Sequence, residues 1–258
     1  MSKPLILITN DDGFSSKGIN ILRDAASNFG ETVVVAPISE RSGKGHSITL
    51  YESIHMKEIK DQRGLTYTVS GTPVDCIKLA TNSLLNKKPS LILSGVNHGL
   101  NVGRSILYSG TVSAASEGIM IGVPAIAFSL DTSKKIDFTH VPEILHGIIQ
   151  EGLKETFPKD VVWNVNIPSL INHRPKGNRL TEQGKSNFNE VYYKRKDPRN
   201  NTYFWVDGNI DSIEKNPNVD EVAIREGYVS ITPLSFELTS NKYLKDFKFS
   251  GIFNNELW

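Results

Sequence analysis

Two adjacent carboxylates close an apolar run, since Leu5 to Gly13 reads LILITNDDG. On its own, Asp-Asp-Gly is commonly a turn in which aspartate accepts backbone hydrogen bonds. Asp11 and Asp12 crowded at one strand end repel each other, however, and that costs stability unless a cation sits between or beside them. Two more polar loops follow apolar runs: SERSGKGHS from Ser39 and SGVNHGLNVG from Ser94. Their side chains offer oxygen from Asp, Ser and Asn, with no cysteine and no paired histidines. That donor set suits a hard cation such as Mg²⁺, Mn²⁺ or Ca²⁺. Magnesium sites take one or two carboxylates, several waters and substrate phosphate oxygens, so a phosphate ester is the expected substrate. The metal would orient that phosphate and activate water.

A phosphate also requires backbone donors. Ser109, Gly110 and Thr111 stand at an expected helix start, where N–H groups and the positive end of the helix dipole meet an anion. An ordinary Ser or Thr cap is the alternative, and the two roles are compatible. His46 and His98 lie in the polar loops, where a histidine contacts phosphate, moves a proton or is simply solvated.

Competing motifs fail on spacing. No G-x-G-x-x-G follows the first strand, because Gly95, Gly99 and Gly103 are four apart. SGKGHS lacks the G-x-x-x-x-G-K-[ST] pattern of a phosphate loop. Neighbouring aspartates cannot flank a glycosidic bond at the roughly 5 to 10 Å that its hydrolysis requires.

These loops need a scaffold that brings strand ends together. Strand-like runs LILIT, TVVVAP, YTVS, SLILS, PAIAFSL and VVWNVNIP alternate with helical patterns near Ile19 to Phe29, Pro73 to Leu85, Thr111 to Gly122 and Val141 to Leu153. Thr72 is placed to cap the second helix, with Pro73 at its first position and Asp75 three residues after the cap. The alternation predicts an α/β fold: a Rossmann-like, doubly wound, mostly parallel sheet covered on both faces. In such a sheet ligands bind at the carboxyl ends of the strands, where the three polar loops fall. Past Pro168, NEVYYKRKDPRNNTYFWVDG predicts an antiparallel hairpin arm at about 187–220, too small to be stable alone and therefore packed on the main sheet or a neighbouring subunit. YVSITPL is a further expected strand and the final residues a short helix. The whole of 1–258 is expected to form one domain carrying that arm.

Composition sets the context. The chain has 258 residues, 38% hydrophobic and 22% charged, enough for a substantial core. A net charge of +1 gives no overall field for nucleic acid or anionic membrane, so no stable nucleic-acid complex is expected. Lys194, Arg195, Lys196 and Arg199 are better explained as charges that guard an exposed strand edge than as a polyanion track. A single cysteine, Cys76, excludes an intramolecular disulfide framework and suits the cytoplasm. MSKPLILIT lacks a signal-peptide cleavage pattern, and no apolar run approaches the roughly 20 residues of a membrane span.

The segments ITNDDG, APISERSGKGHSIT, VSGTPVDCIKLA, LILSGVNHGLNVG, YSGTVSAASEG, NVNIP and GYVSITPL occur in that order from Leu5 to Leu234. This series resembles the survival protein E (SurE) family of metal-dependent nucleotide phosphatases. The resemblance implies one divalent metal per subunit, Mg²⁺ or Mn²⁺, held by Asp11, Asp12, Ser42 and Asn97. It implies hydrolysis of nucleoside 5′-monophosphates, with 3′-nucleotidase and exopolyphosphatase side activities. It also implies a dimer or tetramer with an exchanged C-terminal arm. Relatives often carry arginine where this chain has His98, so no role carries over to that residue. On this basis Asp11, Asp12 and Asn97 are the expected catalytic residues, while Gly43, Ser109, Gly110 and Thr111 are expected to donate to the phosphoryl oxygens. The rival readings are a non-catalytic metal-dependent nucleotide sensor and a sugar-phosphate phosphatase.

Overall fold

The computed structural model describes residues 3–133, 136–170, 173–211, 214–241 and 244. Its sheet is built outward from β1 (Leu5–Thr9), every residue of which is buried. Ile6 and Ile8 face one core cluster and Leu5 and Leu7 the other, as strand alternation requires when both faces are covered. On one side β1 pairs in parallel with β2 (Glu31–Pro37), and beyond it lie β4 (Gly64–Val69) and the antiparallel edge strand β3 (Met56–Asp61). On the other side β1 pairs in parallel with β5 (Leu91–His98), followed by β6 (Ala125–Leu130) and β7 (Val162–Ile167). Strand β11 (Val229–Leu234) runs antiparallel to β7, and β8 (Asn178–Leu180) closes the order β3-β4-β2-β1-β5-β6-β7-β11-β8. The chain leaves β1 toward β2 and later returns to β1's other flank as β5. The crevice between β1 and β5 is therefore the switch point at which open α/β sheets take ligands.

Helices α1 (Lys17–Ala26) and α4 (Val141–Gly152) cover one face, through Ile19, Leu22, Leu145 and Ile149. Helices α2 (Pro73–Leu79) and α3 (Gly110–Met120) cover the other, through Ile77, Val112 and Ala115. The expected capping box of α2 forms: Thr72 accepts from Asp75 N–H and Asp75 accepts from Thr72 N–H. After Leu79 the helix widens into a looser turn over Ala80–Leu84, which covers the rest of the expected span to Leu85. The small residues of α3 let it lie close on the sheet. A Cβ at Gly118 would stand 2.9 Å from Ile92 Cδ1 and 3.1 Å from Ala125 Cβ.

The hairpin forms from β9 (Asn187–Lys196) and β10 (Thr202–Asp211), paired antiparallel as a separate two-stranded sheet. Its strands span 187–211, within the expected arm at about 187–220, and α5 (Asp220–Arg225) follows and packs against β11. Most of the expected terminal helix lies outside the described residues. Among the described residues no helix is long and apolar enough to cross a membrane.

Candidate active site

The carboxyl end of β1 turns sharply into α1, and local bonds fix the turn. Asn10 is buried and donates from Nδ2 to Gly13 O (3.0 Å) and Ser16 Oγ (2.9 Å), while Ser16 caps α1 by accepting from Ile19 N–H. Asp11 and Asp12 are thereby held at the mouth of the sheet. Neighbouring β5 carries a bulge between Ser94 and Asn97, and Gly95 occupies it at φ +129°, where a Cβ would collide with Phe128 O at 2.3 Å. Bulges of this kind re-aim the residues that follow them. His98 N–H then donates to Asp12 Oδ2 at 3.2 Å, and Asn97 Nδ2 donates to Gly99 O at 2.8 Å. With its nitrogen engaged, Asn97 has its amide oxygen to offer.

The other two segments meet the same point. Arg41 N–H donates to Asp11 O at 2.7 Å, which anchors the loop after β2 on the first loop. At the start of α3, Thr111 donates its hydroxyl to the Asp11 carboxylate. Gly110 is forced by this approach, since a Cβ there would lie 2.8 Å from Asp11 Cβ and 2.9 Å from Oδ2. The structure thus gathers Asp11, Asp12, Asn97, Gly110 and Thr111.

Two expected residues are engaged in more specific ways. Ser109 is the N-cap of α3 and accepts from Val112 N–H at 3.1 Å, so the cap reading holds for its oxygen while its O–H remains able to donate elsewhere. Ser42 is exposed and donates to Glu40 Oε1 at 2.7 Å. That bond takes the hydroxyl proton and leaves the oxygen lone pairs for another partner. Gly43, at φ +69°, has open space around it.

Electrostatics mark the pair as frustrated. Burial, with the Asp12 charge adding to it, lifts the Asp11 pKa from 3.8 to about 6 against the lowering effect of the Thr111 hydroxyl. Asp12 is also raised, first by burial and then by Glu40, while His98 acts in the opposite direction. Asp11 is only 4% exposed, so water does little to relieve it. Among the described residues no third His, Cys, Asp or Glu joins the pair as a ligand cluster. Two partly desolvated carboxylates, an amide oxygen and a hydroxyl whose proton points away fit a hard divalent cation completed by water and substrate oxygens.

Glu40 and the acceptor role of Asp11 toward Thr111 were missed by sequence reasoning. Glu40 precedes Ser42 by two residues and its type alone carried no signal. The Thr111 contact spans 100 positions. Among the described residues His46 bonds to α3 and not to either aspartate. It meets Glu117 Oε2 at 3.1 Å and Ser116 Oγ at 3.4 Å on α3, and buried Glu117 also pairs with Lys78 Nζ at 2.7 Å. His46 therefore ties the Ser42–Gly43 loop to the helix that holds Asp11.

The fold and site define an α/β protein with an acidic group of oxygen donors at the switch point of a doubly wound sheet. Residues 6–190 match the model of the survival protein SurE family. The chain is 43% identical over 256 residues to "5′-nucleotidase SurE" of Cytophaga hutchinsonii, covering 96% of this chain and 99% of that protein. It is 40% identical over 248 residues to the protein of the same name from Christiangramia forsetii, covering 95% of each. The crystal structure of the SurE protein from Aquifex aeolicus superposes with a TM-score of 0.81 at 41% identity, covering 95% of this chain and 98% of that one. The chain belongs to the SurE family.

Proposed function

We propose that the protein is a metal-dependent phosphatase that hydrolyses nucleoside 5′-monophosphates to nucleoside and phosphate. The observation that carries this reading is the Asp11–Asp12 pair at the switch point, Asp11 buried and Asp12 partly so, held in place by Thr111 and His98 N–H despite its mutual repulsion. Relatives about 40% identical over nearly the whole chain bear the name 5′-nucleotidase, which supports the substrate class.

Asp11, Asp12, Asn97 and Ser42 would hold one Mg²⁺ or Mn²⁺, with Glu40 accepting the Ser42 hydrogen bond. Such an ion, when bound, supplies a Lewis acid for a phosphate oxygen and makes water acidic enough to attack. The chain's own residues do the positioning. The N–H groups of Gly43 and Gly110 and the Ser109 hydroxyl donate to the phosphoryl oxygens at the positive end of α3, stabilising charge as it builds. The Thr111 hydroxyl holds Asp11, and its backbone N–H at the same helix start joins those donors. Attack by water in line with the departing nucleoside oxygen fits this layout, because both carboxylates already accept hydrogen bonds and would also hold the ion.

Phosphate release from a panel of nucleoside monophosphates with Mg²⁺ or Mn²⁺, and after chelation, tests the reading. Turnover should be metal-dependent and fall at least about a hundredfold on chelation. Tight nucleotide binding without release would identify a sensor, and equal rates on sugar phosphates a hydrolase blind to the base.

The hairpin supports an oligomer. Tyr192, Phe204 and Trp205 are 63%, 56% and 65% exposed, a larger apolar surface than a two-stranded arm leaves in water. A second copy of the chain is its expected cover, giving a dimer or tetramer. Light scattering of the purified protein should return a multiple of the 28.6 kDa chain mass, and a monomer would contradict this assignment.

A further inference from the structure

Between α1 and the edge hairpin of β3 and β4 lies a small cavity of about 200 Å³, lined by Asn20 and Arg23 of the helix, by Asp61 and Arg63 of the hairpin turn and by Ile19 and Val34. Asp11, Asp12, Ser42 and Asn97 do not line it. It is smaller than the roughly 300–1,000 Å³ of sites for drug-sized ligands, so it suits a small ion and not a nucleotide.

The cavity is built on a buried cation. Arg23 is 4% exposed, and its bonds go to neutral oxygens: Nη1 donates to Thr66 Oγ1 at 3.0 Å and Nη2 to Leu65 O at 3.1 Å. Its Nε is buried without a partner, and among the described residues no carboxylate comes within ion-pair distance of the guanidinium. Burial holds its pKa below the ordinary arginine value, against the pull of Asp61. A guanidinium taken out of water without a hydrogen-bonded counter-charge is costly, and an anion of the right size relieves it.

The hairpin turn closes on this group. Gly64, at φ +110°, passes so near that a Cβ there would stand 3.0 Å from Arg23 Nη2. Exposed Arg63 reaches across to α1, where its Nη1 donates to Asn20 Oδ1, and brings a second guanidinium to the same space. Asp61 accepts from Arg63 N–H with Oδ1 at 2.9 Å, which leaves Oδ2 for a further donor. Two guanidinium groups select an oxyanion. The carboxylate beside them selects further, because it repels a fully ionised anion and accepts a hydrogen bond from one that still carries a proton. At neutral pH phosphate keeps such a proton and sulfate does not.

We propose that this cavity is a metal-independent site for inorganic phosphate, in which Arg23 and Arg63 hold the ion and Asp61 accepts a hydrogen bond from its P–OH group. The bound ion joins α1 to the β3–β4 hairpin and supplies the counter-charge that Arg23 lacks.

Isothermal titration of inorganic phosphate into the metal-free protein, at constant ionic strength and neutral pH, reads this site, since without a cation Asp11 and Asp12 repel the anion. Wild type should bind sulfate about tenfold more weakly than phosphate, the difference made by one hydrogen bond to a charged group. Arg23→Gln should weaken phosphate binding at least about tenfold. Arg63→Gln, on the exposed turn, should act in the same direction and keeps the test open if the buried substitution disturbs the fold. Asp61→Asn removes the repelling charge, so the two anions should then bind within about threefold of each other. A wild-type protein that binds no phosphate, an affinity unchanged in both arginine variants, or sulfate bound as tightly as phosphate by wild type would overturn the site. None of these readings depends on turnover, so the nucleotidase assignment stands or falls separately.

Discussion

Asp12→Asn is expected to lower kcat/KM for nucleoside monophosphates by about 10³, with unchanged circular dichroism and little change in melting temperature. The size follows from what one carboxylate supplies: a full negative charge next to a divalent ion, whose loss removes an interaction on the scale of the strongest single transition-state contacts, about 4 kcal/mol. The fold should survive, because the structural task of Asp12 is to accept from His98 N–H through one oxygen, and an asparagine carbonyl can do the same. Asp12 is also less enclosed than Asp11. Steady-state kinetics on the purified variant, in Mg²⁺ or Mn²⁺, provide the measurement. Activity within about tenfold of wild type would remove Asp12 from the site.

Much of this arrangement was legible in the chain because strand-end loops can be recognised by composition. LILIT followed by NDDG, and SLILS followed by GVNHG, announce buried strands that open into polar loops, and parallel pairing then brings those loops to one edge. The Thr72 capping box was equally visible, since it depends only on residues three apart. What was hidden lacked local signal. Strand β3, MKEIKD, is an exposed edge strand with charges where alternation would place apolar residues, and β8 has three residues. Helix α5 has six residues, too few for a helical period to register. Within the site, Asp11 and Asp12 were readable as a pair because their repulsion is local. The grip of Thr111 on Asp11, the stand of Glu40 behind Ser42 and the bulge that turns Asn97 depend on tertiary contact.

The second large effect concerns stability and its sign is opposite to that of an ordinary mutation. With no cation present, the Asp11 carboxyl has a pKa of about 6 in the folded protein against 3.8 for the free side chain. Below 3.8 the group is protonated in both states and imposes no charge penalty. As pH rises through about 6 the folded state must also ionise, and by pH 7.5 it has lost about 3 kcal/mol relative to the acid side. The raised pKa of Asp12 acts in the same direction. Asp11→Asn keeps an acceptor for Thr111 and has no charge to bury. In metal-free buffer at pH 7.5 it should therefore melt above wild type by about 5 to 10 °C, and the gap should close toward pH 4.

A cation should reverse that order, and thermal unfolding of wild type and Asp11→Asn at pH 7.5, each with chelator and with Mn²⁺, reads the reversal in one experiment. Manganese should raise the wild-type midpoint strongly and leave the variant nearly unmoved, because only the intact pair gives the ion its charge partner. A wild-type protein that melts at the same temperature with and without Mn²⁺ would show that the paired carboxylates are not a metal site, and the proposed catalysis would have no basis.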